Sequence, residues 1–208
     1  TQGYLAQLPQ CDISSNPYSG GGYTGLTGTY GLLNCVAIKY GAISVVVWFY
    51  EPSGGQGVLF GTEVQQYPSS SPYYSSPALY VGEDGRLYAL DFGGGSNFYI
   101  NTPNPISPGW HMAVFEEWAS STSGPYYLAL YLDGQLVGQT SASASRLFGL
   151  DLNSAEAISD IGTIADAYFP DTPGASTSAA VYYFFNGTIA YVAVYNTVLS
   201  SSQVQQLY

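Results

Sequence analysis

The stretch Phe184-Phe-Asn-Gly-Thr-Ile-Ala-Tyr-Val-Ala-Val-Tyr-Asn-Thr-Val-Leu-Ser-Ser-Ser-Gln-Val-Gln-Gln-Leu-Tyr208 decides the fold of this chain. Its Asn186-Gly187 pair predicts a tight turn, because both residue types tolerate the positive φ angles that such turns need. The run Thr188–Tyr195 is rich in β-branched and aromatic residues, which favours a buried strand. We therefore expect a strand directly after this turn.

The residues after this strand predict a short helical turn. Ser200 and Gln203 fit the S-x-x-Q capping box, in which each side chain bonds a backbone N–H group at the start of a helix. Val204 and Leu207 are expected to face inward, since residues three apart lie on one side of a helix.

The same stretch resembles the last strand and closing turn of the laminin-G-like (concanavalin A-like) jelly rolls. That family commonly ends on the pattern F-x-G-x-I-D-x-V-x-h-Y-x-x-x-L-S, in which h is apolar. The residues that fall on this pattern are Phe185, Gly187, Ile189, Val192, Val194, Tyr195, Leu199 and Ser200. Ala190 stands where the family carries an acidic residue.

Further stretches resemble the same family and follow its order. Ile43–Tyr50 resembles the strand F-T-V-S-F-W-V-Y-P, and Trp110–Phe115 resembles the strand G-W-H-H-V-A-V. Tyr131–Gly138 resembles the hairpin Y-x-D-G-x-x-V-G, and Asp160–Gly162 resembles the strand before the final loop. The resemblance covers about residues 33–208 and implies a fold that hosts lectins, adhesion modules, carbohydrate-binding modules and hydrolases alike.

The expected fold is therefore an all-β jelly-roll sandwich of two antiparallel sheets with a short C-terminal helical turn. No linker or shift in composition divides the chain, which favours one domain. We assign residues 1–31 to an N-terminal arm tied to the domain and residues 32–208 to the laminin-G-like β-sandwich. Closely spaced glycines predict irregular structure between Ser14 and Gly31.

The two cysteines, Cys11 and Cys35, leave two interpretations open. They are either separate thiols or a disulfide that pins the arm to the first core strand, and the second interpretation suits a secreted protein. Packing of the arm on a neighbouring subunit is another way to order it.

Alternating and continuous apolar runs predict the strands and the core. Strands are expected at Cys35–Lys39, Ile43–Tyr50, Gly57–Thr62, Ala78–Val81, Arg86–Phe92, Phe98–Ile100, Trp110–Phe115, Tyr126–Leu132 and Thr188–Tyr195. The expected core residues are Ile43, Val45, Val47, Phe49, Leu59, Leu87, Val114, Leu128, Leu130, Ile189, Val192 and Val194.

The charge of the chain excludes several partners. The net charge is −11, and the only basic side chains are Lys39, Arg86 and Arg146. Three scattered cations cannot neutralise a run of phosphates, which excludes nucleic acid, and an anionic membrane surface is an equally poor partner. No run of eighteen apolar residues exists, so direct membrane insertion is not expected.

Catalytic residues are not predicted. Two-carboxylate glycosidases need two acids in one cleft, and the E-x-D-x-E strand motif of this superfamily is absent. Neighbouring Glu116 and Glu117 would point to opposite sides of a strand, and pairing of either with Asp91 or Glu63 has no support in the sequence. The only histidine, His111, is expected to be a hydrogen-bonded residue at the sheet surface rather than a zinc ligand.

Calcium is the metal that the resemblance implies, although no cofactor is required. Relatives often hold calcium with carboxylates and carbonyls at an edge of the sandwich. The candidate ligands are Asp160, Asp166 and Asp171. The alternative is that these acids face solvent and are simply hydrated.

Asn186-Gly187-Thr188 is an N-glycosylation sequon, although the same Asn-Gly pair also serves the turn. The sequon, the cysteine pair and the scarcity of lysine together indicate a secreted or cell-surface protein.

Tyrosine is the most informative part of the composition. The chain has 21 tyrosines, and only 8% of its residues are charged. Tyr127, Tyr131 and Tyr191 are expected to form an uncharged binding or assembly surface, since tyrosine joins a large apolar ring to a polar tip. A general compositional bias, similar to that of secreted proteins of heat- and acid-living archaea, explains the tyrosines equally well.

Three functions follow from these observations. The first is a non-catalytic extracellular module that acts by adhesion to a glycan or a surface protein. The second is a self-assembling structural subunit of a filament, sheath or surface layer, whose partner is a copy of itself. The third is a glycoside hydrolase.

Overall fold

The computed structural model of the chain describes residues 6–7, 10–13, 28–31, 41–63, 75–90, 99–119, 125–142, 158–162 and 184–208. These residues form thirteen strands and one helix. The elements are β1 (Ala6–Gln7), β2 (Gln10–Ile13), β3 (Gly28–Gly31), β4 (Ala42–Glu51), β5 (Gly57–Glu63), β6 (Ser75–Val81), β7 (Leu87–Leu90), β8 (Tyr99–Asn101), β9 (Gly109–Ala119), β10 (Tyr126–Leu132), β11 (Gln135–Ala142), β12 (Ile158–Ile161), β13 (Thr188–Tyr195) and α1 (Ser201–Leu207).

Two antiparallel sheets make up the body of the fold. One has six strands in the order β1-β12-β5-β6-β7-β8, and the other has five in the order β11-β10-β9-β4-β13. A small third sheet pairs β2 with β3. The expectation of a jelly-roll sandwich that closes on a short helix is confirmed.

The main core lies between the two large sheets. Residues 43, 45, 47 and 49 of β4 alternate toward it, and each is fully buried. Leu59, Leu87, Leu128 and Leu130 join them as expected, and Ile189, Val192 and Val194 are partly buried against the cluster. Val114 is buried as well, but it lies in a second cluster on the opposite face of the five-stranded sheet.

A β-bulge in β13 sets the direction of its side chains. The pairing of β13 with β4 shifts register between Ile189 and Tyr191, so that Ala190 is the extra residue. Ile189 therefore faces the core like Val192, while Tyr191 faces outward. Ala190, which stands where the family carries an acidic residue, is the bulged residue of this strand.

The N-terminal arm contains more regular structure than the glycine content predicts. Gly28–Gly31 is a strand that pairs with Gln10–Ile13, and Ala6–Gln7 pairs with β12 in the six-stranded sheet. The expectation of irregular structure up to Gly31 is therefore wrong at its end, because glycine weakens a strand without preventing backbone pairing. The boundary between residues 31 and 32 stays a prediction, and Cys35–Lys39 lies outside the described residues.

The helix is anchored by its first turn. Ser200 is the N-cap and forms the complete capping box with Gln203, as expected. Leu199 before the cap and Val204 lie in the same buried cluster, which is the arrangement of a hydrophobic staple. Leu207 does not face inward as expected: it is 37% exposed, and Val204 is the buried residue of the helix. The described part of the chain contains no helix that is long and apolar enough to cross a membrane.

We expect the substitution Ser200→Ala to lower the free energy of unfolding by about 1 kcal/mol, because the backbone N–H of Gln203 loses its acceptor. Urea unfolding measures this change. Gln206→Ala is the control, since Gln206 is exposed on the same helix. Equal stabilities of the two variants would contradict a role for the capping box.

Candidate functional site

Aromatic side chains meet on the outer face of the five-stranded sheet. Residues that pair across neighbouring strands share a face, and the pairs here are Tyr50 with Trp110 and Trp48 with Tyr191. Tyr208, after α1, stacks on Trp48. We call these five residues the aromatic strip.

The strip is open to solvent although its side chains are large. Trp110 is 53% exposed, Tyr50 40%, Tyr191 54% and Tyr208 59%, whereas Trp48 is half-buried beneath them. Isolated exposed aromatics are ordinary, but a contiguous group of them marks a surface that contacts something else.

Ring contacts fix the orientation of the strip. Tyr50 and Trp110 meet edge to face, with ring centroids 5.6 Å apart and planes at 66°. Trp48 and Tyr208 are stacked, with centroids 5.8 Å apart and planes within 8°. Both are favourable aromatic geometries, so contacts within the strip fix the orientations of these rings.

The C-terminal residues cover the middle of the outer face. Leu199 and Val204 are buried there against the second cluster, which includes Met112, Ala129 and Tyr131. Tyr131 was expected on a binding surface, but it is only 6% exposed, with its hydroxyl 3.4 Å from Ser201 Oγ. The expectation is wrong because the closing helix docks on the tyrosine.

The other expected surface tyrosines are separated from each other. Tyr191 belongs to the aromatic strip. Tyr127 is half-buried and stacks on Trp118 with centroids 5.1 Å apart, at the other end of the same face. Trp110, Tyr50 and Tyr208 were not predicted as site residues. The alternation of Trp48 and Tyr50 in β4 is a signal for Tyr50, whereas Trp110 joins it only through the pairing of β9 with β4.

A buried carboxyl group holds the C-terminal residues on the sheet. Glu116 is 1% exposed, and its Oε1 accepts hydrogen bonds from the Leu199 backbone N–H at 2.7 Å and from Ser44 Oγ at 2.9 Å. Burial raises the pKa of Glu116, against the opposing effects of these two donors. The carboxyl therefore acts as a structural link rather than as an exposed acid.

A second buried acid lies on the inner face. Glu51 is 3% exposed, and burial raises its pKa to about 7 despite the opposing effects of His111 and the Gly55 backbone N–H.

His111 is buried rather than at the sheet surface: its Nδ1 lies 2.7 Å from Asp133 Oδ2, and its Nε2 lies 2.7 Å from the Ser107 carbonyl oxygen. Asp133 also accepts the Met112 backbone N–H, which fixes the β10–β11 turn.

These acids do not form a catalytic pair. Glu116 faces outward beneath the C-terminal residues, while Glu117 pairs with Ile43 and faces the core, as alternation predicts. Both are 1% exposed. A two-carboxylate glycosidase needs facing acids that substrate can reach, and Glu51, Glu116 and Glu117 do not meet that condition.

The remaining predicted sites fall largely outside the described residues. Asp160 lies in β12, whereas Asp166 and Asp171 are not described, and the described ranges contain no group of three potential metal ligands. Asn186 is exposed in the turn before β13, which leaves the sequon accessible. The calcium site, the Cys11–Cys35 disulfide and glycosylation stay predictions.

The described strands and helix of the face that carries the strip present no exposed charged side chain. Strands β4, β9, β10, β11 and β13 and helix α1 contain no lysine or arginine, and their three glutamates are buried. The strip therefore offers apolar ring faces together with neutral hydrogen-bonding groups.

Comparison with known proteins gives a family and a set of structural neighbours. A model of the concanavalin A-like lectin/glucanases superfamily matches residues 24–205. Comparison with curated protein sequences finds no significant match.

Among solved structures, the chain is similar to the Ruminococcus gnavus IT-sialidase CBM40 bound to α2,3-sialyllactose. The TM-score is 0.55 at 16% identity, and the match covers 97% of each chain. It is also similar to the leech intramolecular trans-sialidase, with a TM-score of 0.52 at 15% identity, covering 98% of this chain and 27% of that one. Likenesses at this level of identity show the fold alone.

Proposed function

The chain belongs to the concanavalin A-like lectin/glucanases superfamily, and from this premise we propose that it is a non-catalytic extracellular or cell-surface module that binds glycans. The observation that carries the proposal is the aromatic strip, in which Trp110 and Tyr50 present exposed rings on a sheet face. We infer that the strip is the binding site.

Aromatic rings suit sugars for a physical reason. The C–H face of a pyranose ring is apolar and packs on the face of an aromatic ring, while its hydroxyls need hydrogen-bond partners at the rim. Tyr50, Tyr191 and Tyr208 each carry a hydroxyl at the tip of an exposed ring. The strip thus supplies both kinds of contact on one surface.

Two further observations support a binding role over catalysis. The R. gnavus neighbour, which matches over nearly the whole of both chains, is a carbohydrate-binding module. In this chain the acids with raised pKa values, Glu51 and Glu116, are buried in structural contacts. Glycan binding does not require any of them to be reachable.

We expect Trp110→Ala to weaken glycan binding about tenfold or more, which corresponds to ~1.4 kcal/mol. The loss is expected because Trp110 has the larger and more exposed ring of the Trp110–Tyr50 pair. A glycan array identifies a ligand, and calorimetry then compares the variant with the unmodified chain.

Leu136→Ala is the matched control for this measurement, since Leu136 is also a large exposed side chain (50%) and lies on the far strand of the same sheet. Its affinity should match that of the unmodified chain. An unchanged affinity of Trp110→Ala would place the glycan elsewhere and refute the strip as the site.

Self-assembly is the second candidate function, and one observation favours it. Within the described residues β13 is the outermost strand of its sheet, and Thr188–Tyr195 contains no charged residue. Natural edge strands usually carry charges that prevent pairing with other chains.

Light scattering of the native protein separates the two candidate functions. Large regular polymers would favour a structural subunit, and a 22.1 kDa particle would refute that function in the buffer used.

A further inference from the structure

We propose that the aromatic strip selects uncharged glycans and rejects anionic ones, including sialylated glycans. This inference rests on the proposed function, because it names the ligand class of the same site. It also separates this chain from its structural neighbour that is bound to sialyllactose.

Positive charge is distributed away from the strip in the described structure. No lysine or arginine occurs in the five strands of the sheet that carries the strip, nor in α1. Among the described residues the basic side chain is Arg86, which lies 3.3 Å from Asp84 Oδ2 beside the hairpin of the other sheet. His111 is buried on the inner face and bonded to Asp133. A carboxylate or sulfate on the strip would therefore lack a counter-charge in the described structure.

Placing an anion on the strip costs free energy. An anion that leaves water without a charged or well-bonded partner loses hydration that nothing restores. The net charge of −11 adds repulsion as an anionic ligand approaches the chain. Both effects weaken the binding of anionic glycans and do not change the binding of neutral ones.

The strip offers neutral hydrogen-bonding groups instead of charges. Trp110 carries an indole N–H donor, and the tyrosines carry hydroxyls that both donate and accept. Thr188 is exposed and pairs with Tyr50, which places another hydroxyl beside the rings. Sugar hydroxyls are bonded well by such groups, so the chemistry of the strip is matched to a neutral saccharide.

The test measures binding to neutral and charged versions of the same saccharide. The probes are lactose, 3′-sialyllactose and 3′-sulfolactose, together with neutral gluco-, manno-, xylo- and galacto-oligosaccharides and their uronic acid counterparts. We expect at least one neutral probe to bind and its anionic counterpart to bind at least tenfold more weakly. Because no ion pair is involved, the affinity should change less than twofold between 50 and 500 mM NaCl.

A gain-of-function variant provides the second measurement. Thr188→Lys adds a cation beside Tyr50 without removing a ring of the strip. It should improve the binding of the anionic probe relative to the neutral one at least threefold, and this gain should fall at high salt.

The outcomes separate the two proposals. Tighter binding of an anionic probe than of its neutral counterpart, with loss in Trp110→Ala, would uphold glycan binding at the strip and overturn the selection for neutral ligands. If no probe of either kind binds, the proposed function itself fails.

Discussion

Replacing Glu116 with alanine is expected to lower the free energy of unfolding by about 3 kcal/mol, mainly because a buried backbone N–H loses its acceptor. The Leu199 N–H donates to Glu116 Oε1 at 2.7 Å in a position that water does not reach. Removal of the side chain also leaves a cavity under the C-terminal residues, which adds to the cost.

The hydrogen bonds of Ser44 also connect the carboxyl group of Glu116 to the backbone that precedes α1. Ser44 Oγ lies 2.7 Å from the Thr197 carbonyl oxygen and 2.9 Å from Glu116 Oε1, yet a serine hydroxyl has only one proton to donate. The Ser44 hydroxyl therefore divides its one proton between these two acceptors, and the Leu199 N–H makes the shorter bond to Glu116.

Two variants separate this link from a general effect of substitution. Glu116→Gln keeps an acceptor for Leu199 and should lose only about 1 kcal/mol, while Glu83→Ala, at an exposed acid, should lose less. Urea unfolding ranks the three, and hydrogen exchange at the Leu199 amide should accelerate most in Glu116→Ala. If Glu116→Ala matched the unmodified chain within 0.5 kcal/mol, roughly the usual size of a surface effect, the link would be refuted.

The same variant connects stability to the proposed site. Glu116 holds Leu199, the staple of Leu199 and Val204 holds α1, and Tyr208 directly follows α1 and stacks on Trp48. Loss of the link should therefore also weaken ligand binding, whereas Trp110→Ala should weaken binding with little effect on stability.

Local patterns in the sequence were enough to predict most of the fold. The alternation in Ile43–Tyr50 and Tyr126–Leu132 predicted which side chains face the core, because a strand reverses direction at every residue. The spacing of Ile189, Val192 and Val194 departs from that alternation by one residue. The resemblance to the family still gave the correct faces, and the bulge at Ala190 is the physical reason.

The candidate site could not be predicted from local sequence patterns, because contacts between distant parts of the chain form it. Tyr50, Trp110, Tyr191 and Tyr208 are far apart in the chain, and only the strand register and the docking of α1 bring them together. The same docking buries Tyr131, which alternation alone placed on an open face. The burial of Glu51 was equally hidden, because the turn at Pro52–Gly55 closes over its carboxyl group.

Glu51 gives the second large expected effect, which is a dependence of stability on pH. Burial raises its pKa from 4.5 to about 7, so the folded chain binds this proton more tightly than the unfolded chain does. The stability contributed by the protonated group is complete below about pH 4.5 and is lost as the pH rises through about 7. A shift of this size corresponds to a loss of about 2 to 3 kcal/mol between pH 4.5 and pH 8.

The substitution Glu51→Gln tests this directly, because glutamine has nearly the same shape and does not titrate. Between pH 4.5 and pH 8 the free energy of unfolding should decrease for both the variant and the unmodified chain. The decrease should be about 2 to 3 kcal/mol smaller for Glu51→Gln. Glu83→Gln, at an exposed acid, is the control and should retain the full pH dependence. Since Oε2 of Glu51 is buried without a hydrogen-bond partner among the described residues, ionisation leaves that oxygen uncompensated, and only removal of the charge relieves the cost. Identical pH profiles for Glu51→Gln and the unmodified chain would show that Glu51 is already ionised at no cost in the fold.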